Sequence, residues 1–358
     1  MFEIWLKIKR YIRQNIRMLL SYIGNLRFDD NTLSLYYKKY IRKIKAIKKQ
    51  AHKAKHNKNL KQSFSWRLVF LIGLPTFFVC YYLLGAALTE NMRTDTEYTL
   101  RENKVPTPEI ALVMSFLLKQ EIDDKVWTPN LPPIFPAYIL DNMPNFQIGV
   151  VNAVKDVATV LKKFDQNTIA QKAEIKRACQ YLQYSPYIWL MTKKGKFNLA
   201  PSANAQYRKA AVELQSFGKD GVYYPDTKDL DSLLLKISYG LQKLATNNET
   251  HYSEHATDRI DTKADDLFYY VKGYTYAMWQ ISKVIGADYK EIILQANAYT
   301  EWTYLTGSLK RAAALKPLIV RNGEAESILA PNHLLGQNYY LLRATTAVEK
   351  IRNKIKEK

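Results

Sequence analysis

The amino-acid sequence predicts an all-α protein with one transmembrane helix, a basic N-terminal arm and a domain of about seven or eight helices after the span. Residues 68–88 contain no charged side chain. Elsewhere, apolar residues recur at intervals of three or four, which places them on one face of a helix. The apolar–polar alternation that is typical of strands is almost absent.

The apolar stretch, LVFLIGLPTFFVCYYLLGAAL, is 21 residues long. At a rise of about 1.5 Å per residue it can cross a bilayer core of about 30 Å. Gly73 and Pro75 would weaken a helix in water but are tolerated in membrane spans. Trp66 and Arg67 precede the stretch as partial interface anchors. We therefore expect a transmembrane helix over residues 66–89.

The charge distribution predicts the orientation of this helix. Residues 1–67 hold 18 Lys and Arg against 3 Asp and Glu, whereas the rest of the chain holds 35 against 30. Because basic residues close to a span stay in the cytoplasm, the N-terminus should be cytoplasmic. A cleavable signal peptide is not expected, because the apolar stretch begins too late. The predicted location is a bacterial inner membrane, with a connector at 90–108 and a periplasmic all-α domain at 109–358.

The basic arm, residues 1–62, reads as two amphipathic helices followed by a polar tether. Its aromatic and basic residues suit a lipid headgroup surface, since anionic lipids attract each nearby Lys or Arg by about 1 kcal/mol. Packing on a protein partner and a role only in topology are alternatives, and nucleic-acid binding is not expected because no base-reading module is present. The residues predicted to face lipid are Trp5, Lys9, Arg13, Arg17, Lys38, Lys39, Arg42 and Lys43.

Helical patterns fill the domain after the span. They begin with Ile110–Leu117 and Phe146–Phe164, continue through 169–182 and Tyr207–Phe217, and include Leu230–Leu244. The later patterns are Leu267–Ile285, Ile292–Ala313 and Leu334–Ile355, with Asp265, Asp266 and Asn332 as expected caps.

Two stretches interrupt these patterns. Residues 126–150 hold five prolines and many aromatics, so no helix is expected before Asn145 and the stretch should pack on the bundle. Residues 246–263 are polar and are expected to form an exposed loop. Candidate residues for a partner or ligand surface are Trp127, Asp141, Asn142, Asn145 and His333.

Four segments carry a resemblance to a known family. They are ILDNMPNFQIGVVNAV (139–154), PSANAQYRKAAVELQSF (201–217), DDLFYYVKGYTYAM (265–278) and ILAPNHLLGQNYYLLRATTAVEKIR (328–352). These segments resemble the domain-of-unknown-function 2333 family of bacterial proteins. The resemblance implies one N-terminal span and a helical exported domain, and it supplies no catalytic residues.

The sharpest catalytic pattern is HYSEH, in which His251, Glu254 and His255 fit the inverted zincin motif. Its flanks lack an apolar face to shield a metal, and no third ligand is evident. A solvated loop is therefore the favoured interpretation, with a metal site as the alternative.

Carboxylates are a second catalytic candidate. Paired carboxylates occur at Asp123/Asp124 and Asp265/Asp266, and Asp141 lies in the proline-rich stretch. Two acids placed across a cleft could cleave glycosidic bonds, although adjacent acids more often cap helices. His333 could act as an acid or base, but a packed and hydrogen-bonded ring is favoured. No nucleotide-binding or nucleophile-elbow motif is present, and no cofactor is expected.

These observations predict a non-catalytic binding or scaffold protein, an accessory component of a bacterial envelope assembly, with the bilayer and an envelope protein as partners. A cell-wall glycan or peptide hydrolase is the alternative from a different class. A transmembrane adaptor whose arm binds anionic lipid is the third.

Overall fold

The computed structural model describes residues 66–100, 108–190, 200–219, 224–255, 261, 263–317, 319–323 and 331–357. The predicted lipid-facing residues of the arm lie outside these ranges. Within them the chain forms ten α-helices and no strand, apart from one isolated bridge between Asn322 and Asn332. The all-α prediction is confirmed.

Helix α1, Trp66–Thr89, contains the apolar stretch. Among the described residues it is the one helix long and apolar enough to cross a membrane, and 6% of its most apolar window is buried. A core helix of a soluble protein would be mostly buried. The chain separates into two units within this helix, after Thr76, and the contacts described below all lie within residues 77–358.

The remaining helices form the domain that follows. Helix α2 continues into a π-helical turn, Gln120–Asp124, and a short 3-10 turn, Pro136–Ile139, precedes α3. The helices are α2 Glu109–Lys119, α3 Asn142–Leu161, α4 Ile169–Leu182, α5 Ala203–Lys219, α6 Thr227–His255, α7 Lys263–Asp288, α8 Lys290–Gln295, α9 Tyr299–Ala314 and α10 His333–Lys356.

Helix α7 is the centre of the domain, and every residue from Val271 to Ser282 is buried. It packs against α2, α3 and α9, while α10 packs against α6 and α9. The crossing of α3 and α7 requires glycine on both helices. A Cβ on Gly149 would overlap the carbonyl oxygen of Tyr270, and one on Gly273 would overlap that of Phe146. The two backbones are therefore in direct contact.

The structure corrects two predicted helix starts. Helix α3 begins at Asn142, and Pro144 lies in its first turn, where the N–H that proline lacks needs no partner. Asp265 and Asp266 lie inside α7, and the cap is Asp261. Its Oδ1 accepts hydrogen bonds from the backbone N–H groups of Lys263 and Ala264 at 3.0 and 3.1 Å.

Two further predictions about helix extent are wrong. The loop expected from residue 246 is helical as far as His255, because Asn248 is buried and hydrogen-bonds Asn338 of α10 at 2.9 Å. The predicted helix Ile292–Ala313 is divided into α8 and α9, with Asn297 between them at φ 51°. The expected cap Asn332 is confirmed, since its side chain accepts from the N–H of Leu335.

Candidate functional site

A cavity of 490 Å³ lies between α3, α6 and α7. All three helices expose polar side chains to it, so their charged and amide groups converge on one space. These side chains include Asn145 and Asp156 on α3, Lys236 and Lys243 on α6, and Asp266 and Tyr270 on α7.

Asp156 is held on two sides. Its Oδ2 accepts a hydrogen bond from the Tyr274 hydroxyl at 2.9 Å, and its Oδ1 pairs with Lys236 Nζ at 2.8 Å. Burial raises the pKa of Tyr274 well above its usual value, and the neighbouring Asp156 raises it further. Both carboxylate oxygens are therefore engaged within the protein.

Asp266 lies where α7 passes the start of α3. Its Oδ1 accepts a hydrogen bond from Asn145 Nδ2 at 2.6 Å. Burial raises the pKa of Asp266, and the nearby charges of Asp265 and Asp141 raise it further. The structure thus brings together the acids that the sequence analysis singled out, and it places Asn145 beside them.

A second cavity, of 640 Å³, adjoins the first and shares Lys236 and Tyr239 with it. Its lining includes Lys163 and Asp229. The two cavities form one extended depression along α3 and α6, which we call the α3–α6 furrow. Tyr239 stands between them and is 60% exposed.

The acids of the α3–α6 furrow all have polar partners, unlike several of its lysines. Besides Asp156 and Asp266, Asp165 pairs with Lys228 at 3.4 Å and Asp229 accepts from Gln166 at 2.7 Å. Lys155, Lys163 and Lys243 form no ion pair with any residue that the structure describes. In all, five lysines and four aspartates line the two cavities, so the furrow carries a small net positive charge.

The predicted surface residues have different environments. Trp127 is 3% exposed and packs edge-on against Tyr207, so it belongs to the core instead of the predicted surface. Asp141 is exposed and caps α3 by accepting from the N–H of Asn142. His333 packs against Phe268, and its Nδ1 accepts a hydrogen bond from a backbone N–H at 3.0 Å.

The HYSEH motif forms the last turn of α6 and not a solvated loop. His251 is buried and bonds Asp261 at 2.7 Å, and the ring of His255 lies 4.6 Å from the His251 ring. Burial would raise the pKa of Asp261, but its hydrogen bonds with His251, Asn322 and the backbone outweigh burial and lower it. Across the described residues no group of three metal-ligating side chains is placed to hold an ion.

Tyr239 and the lysines that line the furrow were not predicted from the sequence as site residues. Lys236, Tyr239 and Lys243 recur at intervals of three and four, so they share the face of α6 opposite its leucine stripe. This spacing is the only feature of the α6 sequence that could have indicated a shared face. It does not distinguish a binding surface from a solvated helix face, because only the neighbouring α3 turns this face into a furrow.

Comparison with known proteins finds a family match for the C-terminal part of the chain. Residues 231–357 match the family model DUF2333, described as an uncharacterized protein conserved in bacteria. This confirms the resemblance over that range, which contains most of α6 and all of α7 to α10. The segments at 139–154 and 201–217 lie outside the matched range. No curated protein and no solved structure matches the chain.

Proposed function

We propose that this chain is a membrane-anchored, non-catalytic binding protein that holds an anionic segment of an envelope protein in the α3–α6 furrow. The observation that carries the proposal is the charge balance of the furrow. Five lysines and four aspartates line it, and Lys155, Lys163 and Lys243 form no ion pair within the part of the chain that the structure describes. The exposed ring of Tyr239 supplies an anchor at the centre, since tyrosine is enriched among the residues that contribute most to binding energy.

The location follows from the anchor and the charge distribution. We place α1 in a bacterial inner membrane, with the basic arm in the cytoplasm and residues 109–358 in the periplasm. The excess of 15 positive charges before the span supports this orientation. The match to a bacterial family is consistent with this setting.

The test is site-specific photocrosslinking in intact cells. A photoreactive phenylalanine at position 239 should capture one partner protein. The matched control is position 299, since Tyr299 has the same exposed fraction of 60% but lies outside the furrow. The triple change Lys155→Glu, Lys163→Glu and Lys243→Glu should abolish capture from position 239, because it turns the positive furrow negative.

Two results would reject this proposal. Capture from position 299 as strong as from 239 would show that the furrow is not the binding surface. Capture that persists in the triple charge-reversal variant would show that the lysines do not select the partner. Circular dichroism of the variant must match the unmodified protein, which excludes loss of folding as the cause.

A cell-wall hydrolase is the second candidate, because Asp156 of α3 and Asp266 of α7 line one cavity. Two carboxylates across a cleft are what glycoside hydrolysis needs. Binding is favoured because Lys236 and Tyr274 occupy both oxygens of Asp156. We expect the purified protein to release no product from cell-wall glycan. Turnover that Asp266→Asn abolishes would establish the hydrolase instead.

A further inference from the structure

An apolar patch lies on the surface of the domain where the proline-rich segment meets the segment that follows α4. It consists of residues whose exposed fractions lie between 38% and 69%: Ile134, Phe135, Tyr138, Ile139, Trp189 and Leu190. Residues 126–140 contain no charged side chain at all. The rings of Phe135 and Trp189 are 6.3 Å apart, which joins the two parts of the patch.

The backbone around the patch is fixed. Asn130 Nδ2 donates to the carbonyl of Ile188 at 2.9 Å, and Trp127 Nε1 donates to that of Pro186 at 3.3 Å. These bonds attach the segment after α4 to the proline-rich segment. The apolar patch is therefore a built surface and not a pair of independent loop tips.

The same proline-rich segment contacts the second half of α1. The Tyr81 hydroxyl donates to the carbonyl of Ile134 at 2.9 Å, and the Tyr82 hydroxyl donates to that of Pro133. Gly85 packs so closely on Pro136 that a Cβ would overlap the proline ring. The side chains adjacent to the apolar patch are thus joined directly to the apolar helix.

The position of these contacts along α1 gives their depth. Gly85 and Tyr81 lie four and eight residues before Thr89, the last residue of the helix. At about 1.5 Å per residue, this is roughly 6 and 12 Å back from the exit end. If the apolar window Phe70–Thr89 fills the bilayer core, Pro133 to Pro136 lie roughly 6 to 12 Å inside the edge of that core, in the leaflet from which α1 emerges.

We propose that the apolar patch is seated in the lipid interface of the leaflet from which α1 emerges, so that the domain is held against the membrane. This rests on α1 spanning the bilayer. Lipid is the occupant because the patch continues directly from a lipid-facing helix. It also combines Trp, Tyr and aliphatic side chains, the composition of interfacial anchors.

The experiment uses the full chain in vesicles of phosphatidylethanolamine and phosphatidylglycerol. Single cysteines at Ile134→Cys and Tyr138→Cys carry an environment-sensitive fluorophore, in a Cys80→Ser and Cys179→Ala background. The control is Leu342→Cys on α10, which is 54% exposed. Quenching by a nitroxide on the upper acyl chain should be several-fold stronger at 134 and 138 than at 342. Quenching by aqueous iodide should show the reverse order.

The possible outcomes distinguish the seated patch from the membrane span of α1 on which it depends. Failure of the protein to float with the vesicles would overturn the membrane anchor and the seated patch together. Flotation with iodide-sensitive labels at 134 and 138 would overturn the seated patch alone. Labels that neither quencher reaches would mean that protein covers the patch, which overturns lipid as the occupant.

Discussion

Asp288, the last residue of α7, should make the stability of the domain depend on pH. It faces the start of α2, where it accepts a backbone hydrogen bond from Ile110 close to Glu109. Its other oxygen, Oδ2, is closed off from solvent and has no hydrogen-bond partner. Burial raises the pKa of Asp288 to about 8, and the charge of Glu109 contributes. Asp288→Asn keeps the shape and removes the ionisation.

The magnitude follows from the difference between the folded and unfolded pKa values. The pKa rises from 3.8 to about 8 on folding, and each unit is worth about 1.4 kcal/mol, so the limit is about 6 kcal/mol. We expect half of this limit, roughly 3 kcal/mol, because Asp288 is only partly buried and solvent screens part of the effect. Between pH 3.8 and pH 8, Asp288 is protonated in the folded state and ionised in the unfolded state. The stabilisation is therefore complete below pH 3.8 and is lost as the pH rises through 8.

The assay is urea unfolding of the full chain in neutral detergent, followed by circular dichroism from pH 5 to pH 8.5. The free energy of unfolding of the unmodified protein should fall over this range relative to that of Asp288→Asn, so that the variant is the more stable at pH 8.5. Glu291→Gln, at an exposed glutamate, is the control and should leave the pH dependence unchanged. Parallel curves for Asp288→Asn and the unmodified protein would refute the reasoning.

Three further predictions concern packing, a buried lysine and the arm. Gly273→Ala should destabilise the domain by about 3 kcal/mol, since its Cβ meets backbone and not a movable side chain. The exposed control Gly307→Ala should be neutral or slightly stabilising, and a Gly273→Ala variant as stable as the unmodified protein would contradict the prediction. Lys272→Met should cost about 2 kcal/mol in the same unfolding assay, because Nζ donates to the carbonyls of Ala313 and Leu315 at the end of α9, and unchanged stability would count against that role. A peptide of residues 1–62 should bind phosphatidylglycerol vesicles and be released by salt, and equal binding to neutral vesicles would exclude the electrostatic mechanism.

Local patterns predicted most of the helices because each depends on its own apolar stripe. The range 169–182 agrees with α4 residue for residue, and the Asn332 cap was visible in the sequence. The predicted helix ends were wrong where contacts between residues far apart in the sequence determine how far a helix extends. Polar residues after 246 looked like a loop, yet Asn248 and His251 continue α6 because α10 and Asp261 supply their partners. The break at Asn297 has no proline or glycine to mark it.

The position of the candidate site was less predictable from the sequence than the helices were, because it depends on tertiary packing. The acids Asp141, Asp265 and Asp266 and the amide of Asn145 were named from the sequence, but no local pattern showed that the start of α3 and the start of α7 lie together. Lys155 and Lys243 were overlooked because an exposed lysine on an amphipathic helix is ordinary. Only the packing of α3 beside α6 and α7 places them around one furrow.

The sequence by itself determined the helical class, the apolar span and the large positive charge of the arm, because periodicity, length and charge are properties of contiguous residues. The tertiary structure alone decided which acids are engaged, which lysines face the furrow and where the proline-rich segment meets α1. Those features depend on pairs far apart in the chain, such as Tyr81 with Ile134 and Asn145 with Asp266, whose contact requires the whole fold.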